Sequence, residues 1–201
     1  QRIYFVEKED KRKLLYHIIR NDKMTDVLVF VRTKHGADNV VKALEKNGIQ
    51  AEAIHGDKSQ SARQRALDKF KSKEVSVLVA TDIAARGIDV NDVTHVINFS
   101  LPDEIENYTH RSGRTGRAGK TGISIAIINS RELHKIRQIE KVIGKQFTKA
   151  EVPTGFDVVE KQLFGLIHKV HNVEVNDQQI DQYLPRIMNE FADMSKEDII
   201  K

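Results

Sequence analysis

Short apolar runs alternating with helical stripes constrain this chain more than any other feature of its sequence. Val27–Val31 is a continuous apolar run, of the kind a parallel strand shows when helices cover both its faces. A helix follows, with Ala37, Val40, Val41 and Leu44 at i, i+3, i+4 and i+7. Asn47-Gly48 stops it in the left-handed manner. The same alternation runs through residues 1–145. Arg2–Val6, Gln50–Ile54, Val75–Ala80, Val93–Phe99 and Thr121–Ile128 read as further strands. Helices are predicted from Asp10, carrying Leu14, Leu15, Ile18 and Ile19, from Ser59 through Phe70, over Asp103–Thr109, and from Ser130 through Ile143. This order predicts an α/β fold, an open parallel sheet with helices on both faces. Ligands of such sheets lie outside the carboxyl ends of the strands. Thr33, the turn His55-Gly56-Asp57, Thr81-Asp82 and the approach to His110 all come just after predicted strands, so one rim collects the unusual residues of the chain.

With 201 residues the chain has room for one domain and an appendage. The boundary falls at Pro153, which predicts a domain over residues 1–152 and a helical extension over 153–201. In the extension Val159, Leu163, Leu166, Ile167 and Val170 form one stripe, and Ile180, Tyr183, Leu184, Ile187, Met188 and Phe191 another. Pro185 has to kink or restart the second helix. Ser195 with Asp198 has the spacing of a capping box, and the sequence stops soon after it, at Lys201. The opening Gln1-Arg2-Ile3 likewise reads as a cut from something longer. No cysteine is present, which excludes disulfides and thiolate metal sites. The eight histidines are scattered without metal-ligand spacing. No apolar run approaches the roughly 18 residues of a membrane span, so no membrane partner is expected. The net charge of +4 leans weakly towards anionic partners.

The charge is most concentrated in His110–Gly119, His-Arg-Ser-Gly-Arg-Thr-Gly-Arg-Ala-Gly, where arginines stand at 111, 114 and 117 and glycines at 113, 116 and 119. At about 100° per residue, steps of three drift only about 60° each. A helix here is expected to fan its arginines along one broad face, with the glycines roughly opposite. Gly113 and Gly116 would each cost it about 0.8–1 kcal/mol relative to alanine, which makes sense only where the glycine side lies against another backbone. Guanidinium groups suit phosphate because their planar fork donates two parallel hydrogen bonds. The alternative is a solvated Arg/Gly-rich segment. Ala80–Asp89 reads as an active loop on the rim: Thr81 and Asp82 leave a strand, Arg86 offers a cation, and Gly87 permits a tight turn before Asp89. Taken singly, Thr81 reads rather as a helix cap and Arg86–Asp89 as a surface ion pair. Gln60 and Arg63 share a face at the start of the Ser59-capped helix, where backbone N–H groups favour a phosphate. A solvated polar face fits them equally well. Ala118-Gly119-Lys120-Thr121 imitates the end of a phosphate-binding loop, G-x-x-x-x-G-K-[ST], but Arg114 stands where its first glycine belongs, and Thr121 opens a strand instead of a helix.

Leu28-Val29-Phe30-Val31-Arg32-Thr33, His55-Gly56-Asp57 with Gln60-Ser61-Ala62-Arg63, Ala80–Asp89 and His110–Gly119, in this order and spacing, resemble the successive motifs of the second RecA-like domain of DEAD-box RNA helicases. The resemblance covers about residues 1–150. It implies ATP-dependent unwinding of short RNA duplexes between two RecA-like domains, the N-terminal one being this domain's partner in the same chain. ATP and Mg²⁺ would serve the two-domain parent, with neither held tightly by this domain. The resemblance places Arg114 and Arg117 at the γ-phosphate, Arg117 as the arginine finger, and Asp89 at the ATP ribose. Arg86 would help tie the two domains together, and His110 would face the acidic motif of the first. RNA-backbone contacts carry over to Thr33, Gln60, Arg63 and Thr81. Ser112 departs from the isoleucine the family often has there. The tail after Pro153 resembles the region following the core in bacterial cold-shock-type DEAD-box helicases, where it leads into a dimerisation element, so a homodimer through 153–201 is one expectation and packing back on the sheet the other. A cytoplasmic ATPase is therefore expected of the parent, and no turnover of this domain alone, which lacks a phosphate loop and a carboxylate pair for magnesium. The competing reading is a non-catalytic RNA- or protein-binding module. Arg114 and Arg117 together with Asp89 argue for the motor, since gripping RNA alone has no use for a carboxylate facing a ribose.

Overall fold

The computed structural model of the chain describes residues 1–90, 92–116, 119, 121–153, 163–168, 181–196 and 198. Seven strands form one sheet: β1 Arg2–Phe5, β2 Val27–Phe30, β3 Ala51–Ile54, β4 Val77–Ala80, β5 His95–Asn98, β6 Ile123–Ile128 and β7 Thr148–Ala150. Their order is β3-β4-β2-β5-β6-β1-β7, and every neighbouring pair is parallel. The helices of this part are α1 Lys11–Asn21, α2 Lys34–Lys46, α3 Gln60–Lys71, α4 Asp82–Arg86, α5 Glu106–Ser112 and α6 Leu133–Ile143.

The unbroken apolar runs have a direct cause. Val27, Val29, Val77 and Val79 face one core with Leu14, Ile18, Val40 and Leu44 of α1 and α2. Leu28, Phe30, Leu78 and Ala80 face the other, with Ala66, Leu67 and Phe70 of α3 and with α4. Ile3, Ala126 and Ile128 continue that second face against Tyr108 of α5 and Ile136 and Ile139 of α6. Two buried faces leave no position for a polar side chain on β2 or β4.

Caps fix where the helices start at the rim. Thr33 Oγ1 accepts from Gly36 N at 3.0 Å and Ser59 Oγ from Ala62 N at 3.2 Å. Gly48, with φ of 78°, follows the end of α2 in the left-handed region. Asp10 holds the cap position of α1 without a side-chain bond. Before α6 the cap is Asn129 and not Ser130: Asn129 Oδ1 accepts from Arg131 N at 2.9 Å, and Asn129 N donates to Glu132 Oε2 at 3.1 Å. Ser130 instead opens the short 3-10 turn Ser130–Glu132.

The helix expected over Asp103–Thr109 lies later, at Glu106–Ser112, and Asp103, outside it, pairs with Arg32 Nε at 3.3 Å. Among the described residues, the helix expected through His110–Gly119 does not continue past Ser112. Gly113 caps α5, and Gly116 and Gly119 have φ of 68° and 78°. The glycines turn the chain and do not press a helix against a neighbour.

The chain divides into two compact units, Gln1–Val158 and Val159–Lys201. In the second, residues 163–168 are helical and a helix spans Leu184–Glu190 with Pro185 in its first turn, so the proline starts this helix. Asp198 N donates to Ser195 Oγ at 3.1 Å, as a capping pair does. Val159, Val170 and Ile180 lie outside the described residues. Among the described residues, no helix is long and apolar enough to cross a membrane.

Candidate functional site

The carboxyl rim is built around a buried arginine. Arg111 is 2% exposed. Its Nε and Nη2 donate to the two carboxylate oxygens of Asp82 at 2.6 and 2.7 Å. Its Nη1 donates to Asn98 Oδ1 at 2.9 Å and to Ser100 O at 2.7 Å, and the guanidinium carbon sits 4.9 Å from the Phe30 ring centre. One residue of α5 thus locks together the start of α4 and the ends of β5 and β2. A guanidinium is stable inside a protein only when a partner of this geometry neutralises it. The common arginine face expected from steps of three is therefore not present. Arg111 turns inward, and helix α5 ends before Arg114.

Arg114 is half-buried and is held by backbone carbonyls. Nη1 donates to Ile88 O at 3.3 Å and Val90 O at 3.5 Å, and Nη2 to Ala85 O at 3.2 Å. Its own segment is fixed from two sides. Val93 N donates to Arg114 O at 3.2 Å, and Thr115 Oγ1 donates to Thr94 O at 3.2 Å. On the other side Gly122 packs so closely that a Cβ there would collide with Thr115 Oγ1 and Gly116 N. Arg86 Nη2 donates to Asn107 Oδ1 at 2.8 Å, tying α4 to α5. One cleft collects Arg86, His110 and Arg114 with Phe30, Asp82 and Asn107. Asp89 lines a separate depression beside Lys71 and Lys73, its side chain 83% exposed and its carboxylate 3.9 Å from Lys71 Nζ. Arg117 lies outside the described residues.

Thr33, Gln60, Arg63 and Thr81 follow β2, β3 and β4 on the same rim. The Thr33 hydroxyl caps α2, and a Cβ at Gly36 would come to 3.0 Å of it, a contact close enough to press on the cap. Arg63 Nη2 donates to Ala84 O at 3.2 Å, and its Nη1 lies 3.5 Å from Gln60 Oε1. That bond passes beside Gly87, where a Cβ would meet Arg63 Nη2 at 3.6 Å. Thr81 holds the cap position of α4 but makes no side-chain capping bond. Lys34 Nζ meets Asp57 Oδ2 at 2.6 Å, and that hydrogen bond holds the Asp57 carboxyl below the usual carboxylate range. Among the described residues, no group of three or more His, Asp or Glu could hold a metal ion.

Sequence reasoning placed Asp82 on the rim without giving it a partner, and gave no role to Asn98, Ser100, Phe30 or Asn107. The available signal was position, since the first four stand at or just past the ends of β4, β5 and β2.

Residues 10–119 match the family described as helicase conserved C-terminal domain, and residues 158–201 match the helical domain of a probable ATP-dependent RNA helicase. The DEAD-box ATP-dependent RNA helicase CshA of Geobacillus kaustophilus is 41% identical over 172 residues, 85% of this chain and 37% of that protein. A DEAD box protein from the hyperthermophile Methanococcus jannaschii, known as a crystal structure, is 42% identical with a TM-score of 0.70, over 75% of this chain and 41% of that one. The DEAD-box protein SrmB of E. coli, solved bound to the regulator of ribonuclease activity A, is 33% identical with a TM-score of 0.70, over 75% of this chain and 88% of that one. The chain spans 36–37% of the length of the curated relatives it matches. Its seven-stranded parallel sheet is RecA-like. With one family model matching more than half of the chain and a DEAD-box structure covered along most of its length, the chain belongs to the helicase conserved C-terminal domain family, on its DEAD-box branch.

Proposed function

We propose that this chain is the second motor domain of a cytoplasmic ATP-dependent RNA helicase, supplying arginines to ATP and half of an RNA-backbone groove for local unwinding of RNA duplexes. The observation that carries this reading is the mounting of Arg114, clamped by three carbonyls on a ligand-binding rim beside Arg86 and His110. Electrostatic stabilisation is strongest when the donor is fixed in advance of the reaction, and this guanidinium is fixed.

This reading gives the chain part of a nucleotide site, spread over the Arg114 cleft and the separate depression that holds Asp89. Arg114 and Arg117 would meet the terminal phosphates and Asp89 the ribose hydroxyls, while Arg86 and His110 would face the first domain. ATP, when bound, supplies the phosphoryl group whose hydrolysis drives the cycle. This chain has no phosphate-cradling loop of its own, so the N-terminal RecA-like domain of the parent would supply that loop and the carboxylates for Mg²⁺. Thr33, Gln60, Arg63 and Thr81 would contact the sugar–phosphate backbone, which positions a strand without reading its bases. Residues 153–201 would join two copies of the protein.

In the two-domain parent, Arg117→Ala is expected to lower ATP turnover about 10³–10⁵-fold, with folding and nucleotide binding nearly intact. A loss of about tenfold or less, with ATP bound normally, would move the role to Arg114. RNA-stimulated turnover by this chain alone would overturn the half-site.

A further inference from the structure

A second groove on the rim is not used by the reading above. It has a volume of about 580 Å³ and is bordered by residues that follow four neighbouring strands. Lys8, Lys11 and Arg12 come after β1, Arg32 after β2, and Arg131 and Lys135 after β6, while Phe99 and Ser100 follow β5. Glu132 is its single carboxylate, and Lys11 Nζ holds it at 2.9 Å. Six cations against Glu132, and against Asp103 at 3.3 Å from Arg32 Nε, leave the groove a surplus of four, as large as the +4 of the entire chain.

The state of these cations separates them from the arginines of the first site. Arg63, Arg86, Arg111 and Arg114 all donate to protein oxygens. Among the described residues, no ion pair or side-chain hydrogen bond engages Lys8, Arg12, Arg131 or Lys135. Like charges gathered round one concavity raise its potential and draw in an anion. A compact phosphate is not the best fit. The N–H groups at the nearest turn are already taken, Arg131 N by Asn129 Oδ1 and Asn129 N by Glu132. What remains is a set of side-chain cations after three strand ends, with half-buried Phe99 after the fourth, β5, which lies among them in the sheet. A basic track with an aromatic platform suits a single-stranded nucleic acid, whose phosphates follow the cations while a base stacks. Carboxylates alone would leave the ring unused, whereas every nucleotide brings a base to stack on it.

The groove adjoins the first site in two places. Arg32 and Gly36 line it, and Thr33 between them caps α2 through Gly36 N. Ser100 lines it and accepts from Arg111 Nη1. We propose that this groove is a second RNA-backbone subsite, continuous with Thr33 at the end of β2, which takes the next nucleotides of the same strand. The proposal rests on the reading that Thr33, Gln60, Arg63 and Thr81 hold RNA.

The test titrates the full-length protein with oligouridylates of about 5 and about 15 nucleotides, lengths that bracket a single groove and its extension. Arg12 and Arg131 are both exposed and have no side-chain partner among the described residues, so an Arg12→Ala/Arg131→Ala variant keeps the fold, which circular dichroism checks. Expected are unchanged affinity for the short oligomer, about tenfold weaker binding of the long one at physiological salt, and a log K against log salt slope smaller by about 1.4 for the long one, two phosphates at about 0.7 each. Binding of both oligomers equal to that of the unaltered protein overturns the proposal. Sensitivity to the variant of polyglutamate binding alone overturns it too, and gives the groove to an acidic protein. The reading of the first groove fails separately: Arg63→Ala would then leave the short oligomer bound normally while the double variant still weakens the long one, and the second subsite would stand.

Discussion

Asp82 neutralises Arg111 inside the protein, and this pair decides how α4 meets α5. Asp82→Ala leaves a buried guanidinium without its counter-charge and is expected to destabilise the chain by about 3–5 kcal/mol. Urea unfolding measures it, and a loss below about 1 kcal/mol would show that water or another carboxylate takes over. Tyr108 gives a second handle. It is fully buried, its Oη donates to Gln1 Oε1 at 2.6 Å and lies 3.0 Å from Ser124 Oγ, and burial pushes the phenol up to about 12. The unfolded phenol ionises near pH 10. The folded value is the higher one, so the stabilisation is complete below pH 10 and is lost as pH rises from 10 through about 12, by about 2 kcal/mol. Tyr108→Phe should remove that alkaline loss, which unfolding curves at pH 9 and pH 12 would reveal. The rim residues were legible one by one, because turn and cap residues directly after apolar runs stand out. The pairing of Arg111 with Asp82 was not. The two belong to different motifs, and the even spacing of Arg111, Arg114 and Arg117 suggested one shared role where the structure gives Arg111 a different one.

Strands were the most legible elements, since burial on both faces admits only apolar residues. β7 was missed because it is an edge strand, Thr148-Lys149-Ala150, partnered by β1 alone and largely exposed. The 113–116 turn was misread as helix, because periodicity reports a face without showing whether glycine continues or ends it. Its true support is Gly122 at the entry to β6. Gly122→Ala is expected to push Thr115 and Gly116 away, at about 1–3 kcal/mol for the overpacking. In the two-domain parent it should also lower ATP turnover by up to about 10²-fold, the effect of displacing a positioned group by an ångström. Gly165→Ala, where a Cβ meets open space, serves as the control and should change neither. Equal turnover for the two variants would mean that the 113–116 turn does not set the arginine's position.

At the scale of the whole molecule, the second unit presents Leu163, Phe164, Leu166, Ile167, Leu184, Ile187, Met188 and Phe191 to solvent. Apolar surface of this kind marks an interface, and two-fold dimers are its commonest form. Sedimentation at micromolar concentration is expected to show self-association that disappears when residues 153–201 are removed, whereas a monomer in both forms would mean that the surface is covered within one chain. The sheet order has a consequence in time. β1 lies between β6 and β7, with Arg2 opposite both Ile125 and Thr148. At roughly 5–20 residues per second, a ribosome needs on the order of ten seconds to deliver those partners after β1 is made. The β3-β4-β2-β5 half can pair during this interval, while Ile3 and Tyr4 wait outside any sheet. β1 is thus made before either of its partners and is among the last strands of this sheet to find its place, which leaves residues 2–5 open to mispairing for that interval.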